Sequence, residues 1–446
     1  MIGAVIVLMC LGIAAFAAWL VAASSYKAPI TADEVHLVTA PDLWKIRLCR
    51  HKPKGGRGEP VFFCHGFMSN QFNFANPPGE SMADFFAEKG YDCWLIDLRG
   101  ATSSIPAFGR SRNDPTMDDY LLRDIPAAMA YIQKATGYRK VHWVGHSMGG
   151  MLLYAYDALF GSDLLASATT LGSPVGFEGM VFRRPTALLF VRGMSRGLFR
   201  AVQRLLVSVL TTFHLKQNLV PINWKNMNPR IDARALFSML EVPTIPVTES
   251  LSTAAERHVW RVNDSSVEVY AKIKKSLSLP LFAIFGAGDP FVPLYTVGPF
   301  FNAVPAKDKK LLVLSQENGH SADYSHVDFV FSRKAREEVF EPVLAWLSAH
   351  PIEGRFRAAD RTDGPAREAM PDEPLSSRHV ESLIEADRVL PMLDDPKTTR
   401  PAATRAKPGK AKRWGAAKKP TPVTETATSK KAAPPKKRVA RKKPSR

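Results

Sequence analysis

A serine, an aspartate and a pair of histidines, the residue types that together activate a serine hydroxyl, occur in that order along this sequence. Ser147 lies in GHSMG, which fits the pattern G-x-S-x-G, and Asp289 follows in LFAIFGAGDPFVP. His320 and His326 come last, in NGHSADYSHVDFVF. A serine hydroxyl is a weak nucleophile until a histidine accepts its proton, and that histidine needs an acid to orient it. The three residue types therefore predict a Ser-His-Asp arrangement with Ser147 as the nucleophile.

The histidine of this arrangement has two candidates, because His320 and His326 both follow the same predicted strand, KKLLVLS. The residues alone leave both of them open, and we favour His326 as the base. Asp323 and Asp328 then have structural or solvated roles. The acid is predicted to be Asp289, which follows a strand in a turn before a proline.

Acyl transfer through a serine also requires two backbone N–H groups that face the developing negative charge. The residue after the nucleophile, Met148, is expected to supply one of them. The second is expected from the loop FFCHGFMSN, in which Gly66 allows a close approach of the backbone and Phe67 donates. His65 in the same loop is interpreted as a loop-shaping residue and not as a second base.

These residues need a scaffold that brings them together, and the sequence alternates between strand and helix patterns. Its 46% of hydrophobic residues suffice for a sizeable core, which excludes a wholly disordered chain. Short apolar runs predict the strands PVFFCHG, YDCWLIDLRG, VHWVGHS, SATTLGSP, LPLFAIFGAGD and KKLLVLS, after an antiparallel hairpin in EVHLVTAPDLWKIRLCRHK. Helical patterns lie between them in SMADFFAEKG, DDYLLRDIPAAMAYIQKATG and MGGMLLYAYDALFG, and at the end in KAREEVFEPVLAWLSAH. The alternation predicts an α/β fold with a doubly wound, mostly parallel sheet, whose sites lie at the carboxyl ends of the strands.

The alternation stops between about residues 177 and 278. This stretch contains RGLFRAVQRLLVSVLTTF, which is rich in apolar and basic helix formers. Since the stretch lies between two predicted strands, we expect an inserted helical cap over the strand ends. Its Phe and Leu side chains suit an apolar acyl pocket, although packing between helices explains any single one of them equally well.

The motifs described above resemble those of the α/β-hydrolase family and, within it, those of the acid lipases of the gastric and lysosomal type. The resemblance extends over about residues 34–350 and rests on HGF at 65–67, YDCWLIDLRG at 91–100, GHSMG at 145–149 and SHVDFVF at 325–331. It implies that His326, in the H-x-D-F motif, is the base and that Asp289 is the acid. It also implies that Phe67 and Met148 are the oxyanion donors. Two departures from the family stand out. Met148 replaces the glutamine that is usual in that family. The sequence of the predicted cap does not match that of the family, so the family's preference for triglycerides does not carry over.

A serine at this turn narrows the reactions that the resemblance allows. Haloalkane dehalogenases and epoxide hydrolases of this fold use an aspartate here, and polyhydroxyalkanoate synthases use a cysteine, so Ser147 disfavours all three. The resemblance implies a serine hydrolase that cleaves carboxylic esters of small molecules or lipids through an acyl-enzyme, as a lipase or esterase does. An acyltransferase or a thioesterase of the same fold is the alternative. No metal-ligand cluster or phosphate-cradling glycine loop occurs in the sequence, so no cofactor or metal is expected.

The N-terminal 23 residues form one apolar stretch without a charged side chain. A helix of about 22 residues spans about 33 Å, enough to cross the hydrocarbon core of a bilayer. We predict a transmembrane anchor over residues 1–25; a cleaved signal peptide is the alternative, since AASSYKA offers small residues near a cleavage point. Lys27, Lys45, Arg47 and Arg50 follow the stretch, which favours a cytoplasmic catalytic domain on an inner membrane of bacterial type. Cleavage would instead give a secreted or periplasmic protein.

The formal net charge of +18 is concentrated near the C-terminus. Residues 397–446 contain 18 Lys and Arg side chains against one acid, Glu425. Few apolar residues offset the ordering entropy there, so we expect a disordered basic tail over 396–446 after a linker at 351–395. Such a tail binds anionic lipid, or nucleic acid without sequence specificity, and a solubility role is the plain alternative. The rival to an enzyme is therefore a protein that tethers membrane, nucleic acid or granules through this tail, with an idle hydrolase fold.

Overall fold

The computed structural model describes residue 12 and residues 28–176, 194–214, 221–262 and 268–355. The chain divides into a unit of residues 1–394 and a unit of residues 395–446, and all described residues belong to the first. The predicted anchor (apart from residue 12), the linker from residue 356 onward and the basic tail lie outside the described residues and stay predictions. Within the described ranges, no helix combines the length and the apolar character that crossing a bilayer requires.

Eight strands form one sheet in the order β1-β2-β4-β3-β5-β6-β7-β8. Their bounds are β1 Glu34–Thr39, β2 Lys45–His51, β3 Pro60–Cys64, β4 Asp92–Asp97, β5 Val141–His146, β6 Leu165–Leu171, β7 Leu281–Gly286 and β8 Lys309–Leu314. β2 pairs antiparallel with both β1 and β4, whereas all neighbours from β4 to β8 pair in parallel. The predicted α/β fold, with a mostly parallel sheet that follows an antiparallel hairpin, is confirmed.

The burial of each strand explains its composition. β3, β4, β5 and β7 are buried along their whole length, as their nearly continuous apolar sequences require. Neighbouring residues such as Phe62 and Phe63 belong to separate apolar clusters, because successive side chains of a strand point to opposite faces of the sheet. β8 lies at the edge of the sheet and begins with two lysines, which discourage pairing with another chain.

Helices cover both faces of the sheet. In chain order they are α1 Phe72–Ala75, α2 Met82–Glu88, α3 Met117–Asp119, α4 Ile125–Thr136, α5 Met148–Phe160, α6 Arg196–Phe213, α7 Ala233–Met239, α8 Ile245–Arg257, α9 Val269–Ser276, α10 Leu294–Ala303, α11 Asp328–Phe331 and α12 Glu341–Ala349. Single π-helical turns, Tyr120–Asp124 and Arg336–Phe340, precede α4 and α12. Residues of α4, α5, α8, α9 and α10 belong to the apolar cluster on one face, and residues of α2, α7 and α12 belong to the cluster on the other.

The described chain between β6 and β7 contains α6 to α9, within the range where the sequence predicts a cap. α6 coincides with the predicted helical stretch RGLFRAVQRLLVSVLTTF. α9 packs in the core, where Tyr270 lies beside Tyr154 of α5 and donates a 2.9 Å hydrogen bond to the carbonyl of Pro174. We refer to the described part of residues 194–257, which holds α6, α7 and α8, as the β6–β7 segment.

Candidate active site

The predicted nucleophile lies on a sharp turn between a strand and a helix. β5 ends at His146 and α5 begins at Met148, so Ser147 alone connects them. Its φ of 53° and ψ of −117° cost a residue with a side chain about 1–3 kcal/mol. Close packing explains why the pattern has a glycine two residues after Ser147. A Cβ atom at Gly149 would lie only 1.9 Å from the carbonyl oxygen of Cys64. Ser147 thus has the strand-turn-helix setting that G-x-S-x-G predicts.

Ser147, His326 and Asp289 form one chain of hydrogen bonds. The Nε2 atom of His326 lies 2.8 Å from Ser147 Oγ, and its Nδ1 atom lies 2.8 Å from Asp289 Oδ2. Since a carboxylate only accepts hydrogen bonds, Nδ1 carries the ring proton and Nε2 accepts from the serine hydroxyl. Asp289 and His326 are buried, whereas Ser147 is half-buried. The arrangement can therefore pass the Ser147 proton to His326.

Both partners of Ser147 lie on loops that follow strands. Asp289 comes shortly after β7, and its Oδ1 atom accepts a hydrogen bond from the N–H of Phe291 at 2.8 Å. The Phe291 ring meets the His326 ring edge-on, with centroids 4.8 Å apart. His326 lies on the loop after β8, the next strand of the parallel sheet. The two loops therefore start at the same edge of the sheet as the turn at Ser147.

The other candidate base, His320, contacts its own loop. Its Nδ1 atom lies 3.2 Å from the main-chain oxygen of Ser315 and 3.4 Å from the main-chain nitrogen of the same residue. Ser315 directly follows β8. The structure therefore brings His326, and not His320, to Ser147.

The two aspartates near His326 make structural contacts. Asp323 accepts a hydrogen bond from a main-chain N–H of its own loop at 2.9 Å. Asp328 is buried, and its Oδ2 atom accepts from the Ser325 N–H and from Asn226 Nδ2, each at 3.1 Å. Burial raises the pKa of Asp328 to about 6. Because Asn226 belongs to the β6–β7 segment, Asp328 connects that segment to the loop that carries His326.

The two predicted oxyanion donors lie in the cavity beside Ser147. Met148 is the first residue of α5, and N–H groups in the first turn of a helix have no carbonyl partner within it. Phe67 lies on the loop after β3, which passes so close that a Cβ atom at Gly66 would lie 3.1 Å from Ser147 Cβ. Phe67 and Met148 line the same cavity as Ser147 and His326. The structure brings both residues to the nucleophile, and their donation to an oxyanion stays a prediction.

His65 shapes the loop that carries Phe67. Its Nε2 atom accepts a hydrogen bond from the N–H of Leu98 at 3.3 Å, and its Nδ1 atom donates to the carbonyl of Gly66 at 2.8 Å. Burial lowers the pKa of the ring, which favours the neutral form. Because the main chain uses both ring nitrogens, His65 has the loop-shaping contacts that the sequence predicts.

His146, which the sequence pattern does not single out, contacts the two loops beside Ser147. Its Nε2 atom lies 2.8 Å from the main-chain oxygen of His326, and its Nδ1 atom lies 2.9 Å from Asn73 Oδ1. Asn73 Oδ1 also accepts a hydrogen bond from the N–H of Gly66 at 3.3 Å. Burial lowers the pKa of His146 to about 3, so its ring is neutral at ordinary pH. The only signal in the sequence is a polar residue at the end of a mostly apolar strand.

A cavity of about 590 Å³ opens beside Ser147. Its volume falls within the range of about 300–1,000 Å³ that is usual for small-molecule sites. Most of its wall is apolar, and the β6–β7 segment supplies much of it through Phe199, Val202, Leu206, Met239, Leu240 and Leu251. No Asp, Glu, Lys or Arg occurs among the described residues that line it. The cavity can hold an apolar chain next to the nucleophile.

A comparison with models of protein families establishes the family. Residues 59–326, more than half of the chain, match the model for the alpha/beta hydrolase fold. This chain belongs to the α/β-hydrolase family. The matched range begins one residue before β3 and ends at His326, so it contains the predicted nucleophile, acid and base.

Lipases are among the relatives of this α/β hydrolase. A probable lipase of Schizosaccharomyces pombe is 24% identical over 333 residues, which are 66% of this chain and 68% of that lipase. The gastric triacylglycerol lipase of Rattus norvegicus is 35% identical over 100 residues, which are 21% of this chain and only 25% of that lipase. The esterase RhEst1 from Rhodococcus sp. ECU1013 aligns with a TM-score of 0.47 at 17% identity, over 71% of this chain and 100% of its own. The predicted resemblance to lipase-like α/β hydrolases is confirmed, and the predicted enzyme class, a lipase- or esterase-like ester hydrolase, agrees with the names of the two lipases.

Proposed function

We propose that this chain is a serine hydrolase that cleaves carboxylic esters, with Ser147, His326 and Asp289 as its catalytic triad. The observation that carries the proposal is the pair of 2.8 Å contacts from Ser147 Oγ through His326 to Asp289 Oδ2. The strained backbone of Ser147 and the membership of the α/β-hydrolase family support it. A serine in an ordinary turn needs neither that strain nor a buried histidine oriented by a carboxylate.

The first half of the reaction transfers the acyl group to the serine. His326 Nε2 takes the Ser147 proton while Oγ attacks the carbonyl carbon of the ester, and the carbonyl oxygen becomes an anion. The N–H groups of Phe67 and Met148 stabilise this anion, and Asp289 stabilises the imidazolium. His326 then gives the proton to the leaving oxygen as the C–O bond breaks and the alcohol departs.

Water completes the reaction. His326 takes a proton from the water molecule while its oxygen attacks the acyl-enzyme carbonyl, and the proton then passes to Ser147 Oγ as the carboxylic acid leaves. An alcohol in place of water would make the enzyme an acyltransferase. A thioester in place of the ester would change only the leaving group. These two alternatives use the same residues and differ in their products.

The β6–β7 segment is proposed to act as a cap that binds the acyl chain. α6 places Phe199, Val202 and Leu206 on the cavity at the three- and four-residue spacing of one helix face. A charged acyl group would lose its hydration in this cavity without meeting an opposite charge, which is strongly unfavourable. The proposed substrate is therefore an ester of a neutral, apolar acyl group.

Covalent labelling of the full-length chain by a fluorophosphonate tests the proposal. An activated serine attacks the phosphorus and expels fluoride, so the parent should be labelled and Ser147→Ala should not. Ser278→Ala is the matched control, because this serine is exposed and precedes β7. Hydrolysis of p-nitrophenyl butyrate should follow the same pattern. A folded parent that is neither labelled nor active on any p-nitrophenyl ester would overturn the proposal.

A product analysis separates hydrolysis from transfer. The parent is incubated with p-nitrophenyl butyrate in the presence of glycerol, and the acyl products are identified by mass spectrometry. Butyric acid as the main product supports a hydrolase, whereas glyceryl butyrate as the main product supports an acyltransferase.

A further inference from the structure

A buried carboxylate outside the proposed triad, that of Glu241, lies against the loop that carries Phe67. Glu241 follows α7 in the β6–β7 segment, and 7% of its surface is exposed. Its Oε1 atom accepts a hydrogen bond from Asn70 Nδ2 at 3.0 Å. Its Oε2 atom accepts from the N–H of Thr102 at 3.1 Å and from the hydroxyl of the same residue at 2.7 Å. The carboxylate therefore joins two loops of the core to the β6–β7 segment.

The main chain of Glu241 holds the same loop at a second point. Its N–H donates a 2.8 Å hydrogen bond to the carbonyl oxygen of Met68. Met68 directly follows Phe67 and has a φ of 58°, which is uncommon for a residue with a side chain. Such a backbone persists only where its surroundings hold it. Contacts to Met68 and Asn70 from one residue therefore fix the path of the chain just after Phe67.

Helix α6 also contacts Glu241. Arg200 Nη2 lies 3.4 Å from Glu241 Oε2 and contacts the hydroxyl of Thr102. Gln203 Nε2 donates to the main-chain oxygen of Glu241 at 3.5 Å. The same helix contributes Phe199 to the wall of the cavity. Glu241 thus connects the cavity wall to the loop of a predicted oxyanion donor.

We propose that Glu241 is a positioning residue for the oxyanion hole, which holds residues 66–70 so that the N–H of Phe67 faces the developing anion. This inference rests on the proposed ester hydrolysis. Glu241 is not among the described residues that line the cavity. Its loss should therefore weaken stabilisation of the transition state more than binding of the acyl chain.

The test compares Glu241→Ala and Glu241→Gln with Glu80→Ala in the full-length chain. Glu80 also joins the core to the β6–β7 segment, through Asn228 at 3.0 Å and Arg230 at 2.9 Å, but it lies outside residues 66–70. The measurements are kcat and KM for p-nitrophenyl butyrate and Ki for an alkyl trifluoromethyl ketone. The adduct of this ketone with Ser147 carries an oxyanion, so its affinity reports on the oxyanion hole.

For Glu241→Ala we expect kcat to fall about 10²-fold, at the lower end of the loss seen when one oxyanion donor is removed. KM should change little, and Ki should rise in parallel with the fall in kcat/KM. Glu241→Gln keeps an acceptor oxygen and should recover most of the activity, while Glu80→Ala should match the parent. Parent-like kcat and Ki in a folded Glu241→Ala, or a loss confined to KM, would overturn the proposal.

Asn70→Ala keeps the test decisive if Glu241→Ala does not fold. This change leaves the carboxylate with Thr102 and removes the amide that donates to Glu241 and to the carbonyl of Ser238. It should reproduce the fall in kcat and the rise in Ki, and parent-like values would count against the proposal. An inactive parent would count against ester hydrolysis itself, whereas an active parent with unaltered variants counts only against the role of Glu241.

Discussion

The Nε2 atom of His146 lies 2.8 Å from the main-chain oxygen of His326, so the residue before the proposed nucleophile holds the backbone of the proposed base. A carbonyl oxygen only accepts hydrogen bonds, so Nε2 carries the single proton of the neutral ring, and the contact of Nδ1 with Asn73 Oδ1 is then not a hydrogen bond. The contact of Nε2 joins β5 to the loop after β8. His326 is therefore contacted at its main-chain oxygen by the last residue of β5 and at its ring by the next residue, Ser147.

Replacement of His146 should affect the position of His326 more than the binding of the acyl chain. His146→Phe keeps a ring but removes the hydrogen bond to His326, and we expect kcat for p-nitrophenyl butyrate to fall about 10–10²-fold, because small displacements of reacting groups have large effects on rate. KM should change less than kcat, since His146 is one of many residues that line the cavity and phenylalanine keeps a ring there. A folded variant with the parent's kcat would show that the loop after β8 holds His326 without this bond.

Replacement of the proposed acid, Asp289, should lower the activity because it changes which ring nitrogen of His326 carries the proton. In Asp289→Asn the amide can donate to His326 Nδ1, which places the ring proton on Nε2, where it cannot accept from Ser147. We expect kcat to fall about 10³–10⁴-fold, as such a change does in triads of this kind. Asp323→Asn is the matched control on the loop after β8 and should retain the parent's kcat. Stopped assays with a short p-nitrophenyl ester measure both, and equal losses in the two variants would contradict the assignment of the acid.

The preference for acyl length should depend on α6. Val202 lines the cavity, so Val202→Trp should shorten the space for the acyl chain and lower kcat/KM for p-nitrophenyl dodecanoate far more than for the butyrate. Val209 lies on the same helix and is 38% exposed, so Val209→Trp should leave the ratio of the two esters unchanged. An unchanged ratio in Val202→Trp would show that the acyl chain binds elsewhere.

The pH dependence of stability should change when Asp157 is replaced. Burial of this α5 side chain raises its pKa to about 6, against the opposing attraction of Lys272. The folded chain thus holds the proton more tightly than the unfolded chain, so the stability that it contributes is full below the ordinary pKa of 3.8 and is lost as the pH rises through about 6. Asp157→Asn imitates the protonated form. Thermal unfolding should show a higher Tm than the parent at pH 8 and little difference at pH 4; the reverse order would refute the assignment.

The proposed triad could be predicted, apart from the choice between His320 and His326, because each member lies beside an element with a strong local signal. Ser147 follows a mostly apolar strand and precedes a mostly apolar helix, and Asp289 and His326 follow the next two strands after the β6–β7 segment. All eight predicted strands are present, and β3, β4, β5 and β7 are easily recognised because a fully buried parallel strand requires an apolar run. Strand ends in a parallel sheet then meet at one edge without further information.

The contacts of Glu241 could not be predicted in this way. Its partners Asn70 and Thr102 lie 171 and 139 residues away in the chain, and they are common polar residues in loops. Which side chains meet there depends on how α6 and α7 pack on the core, and the apolar stripe of α6 indicates only that one face is buried. The contacts of His146 could not be predicted for another reason: the pattern G-x-S-x-G accepts any residue at its second position.

The strained backbone of Ser147 also affects which substitutions at this position selection would favour. Its φ of 53° is readily adopted by glycine, so Ser147→Gly should relieve part of the strain of about 1–3 kcal/mol while it removes the proposed nucleophile. Selection for a durable fold and selection for turnover therefore act in opposite directions at this one position. A descendant that no longer needed the reaction would gain stability by losing this serine.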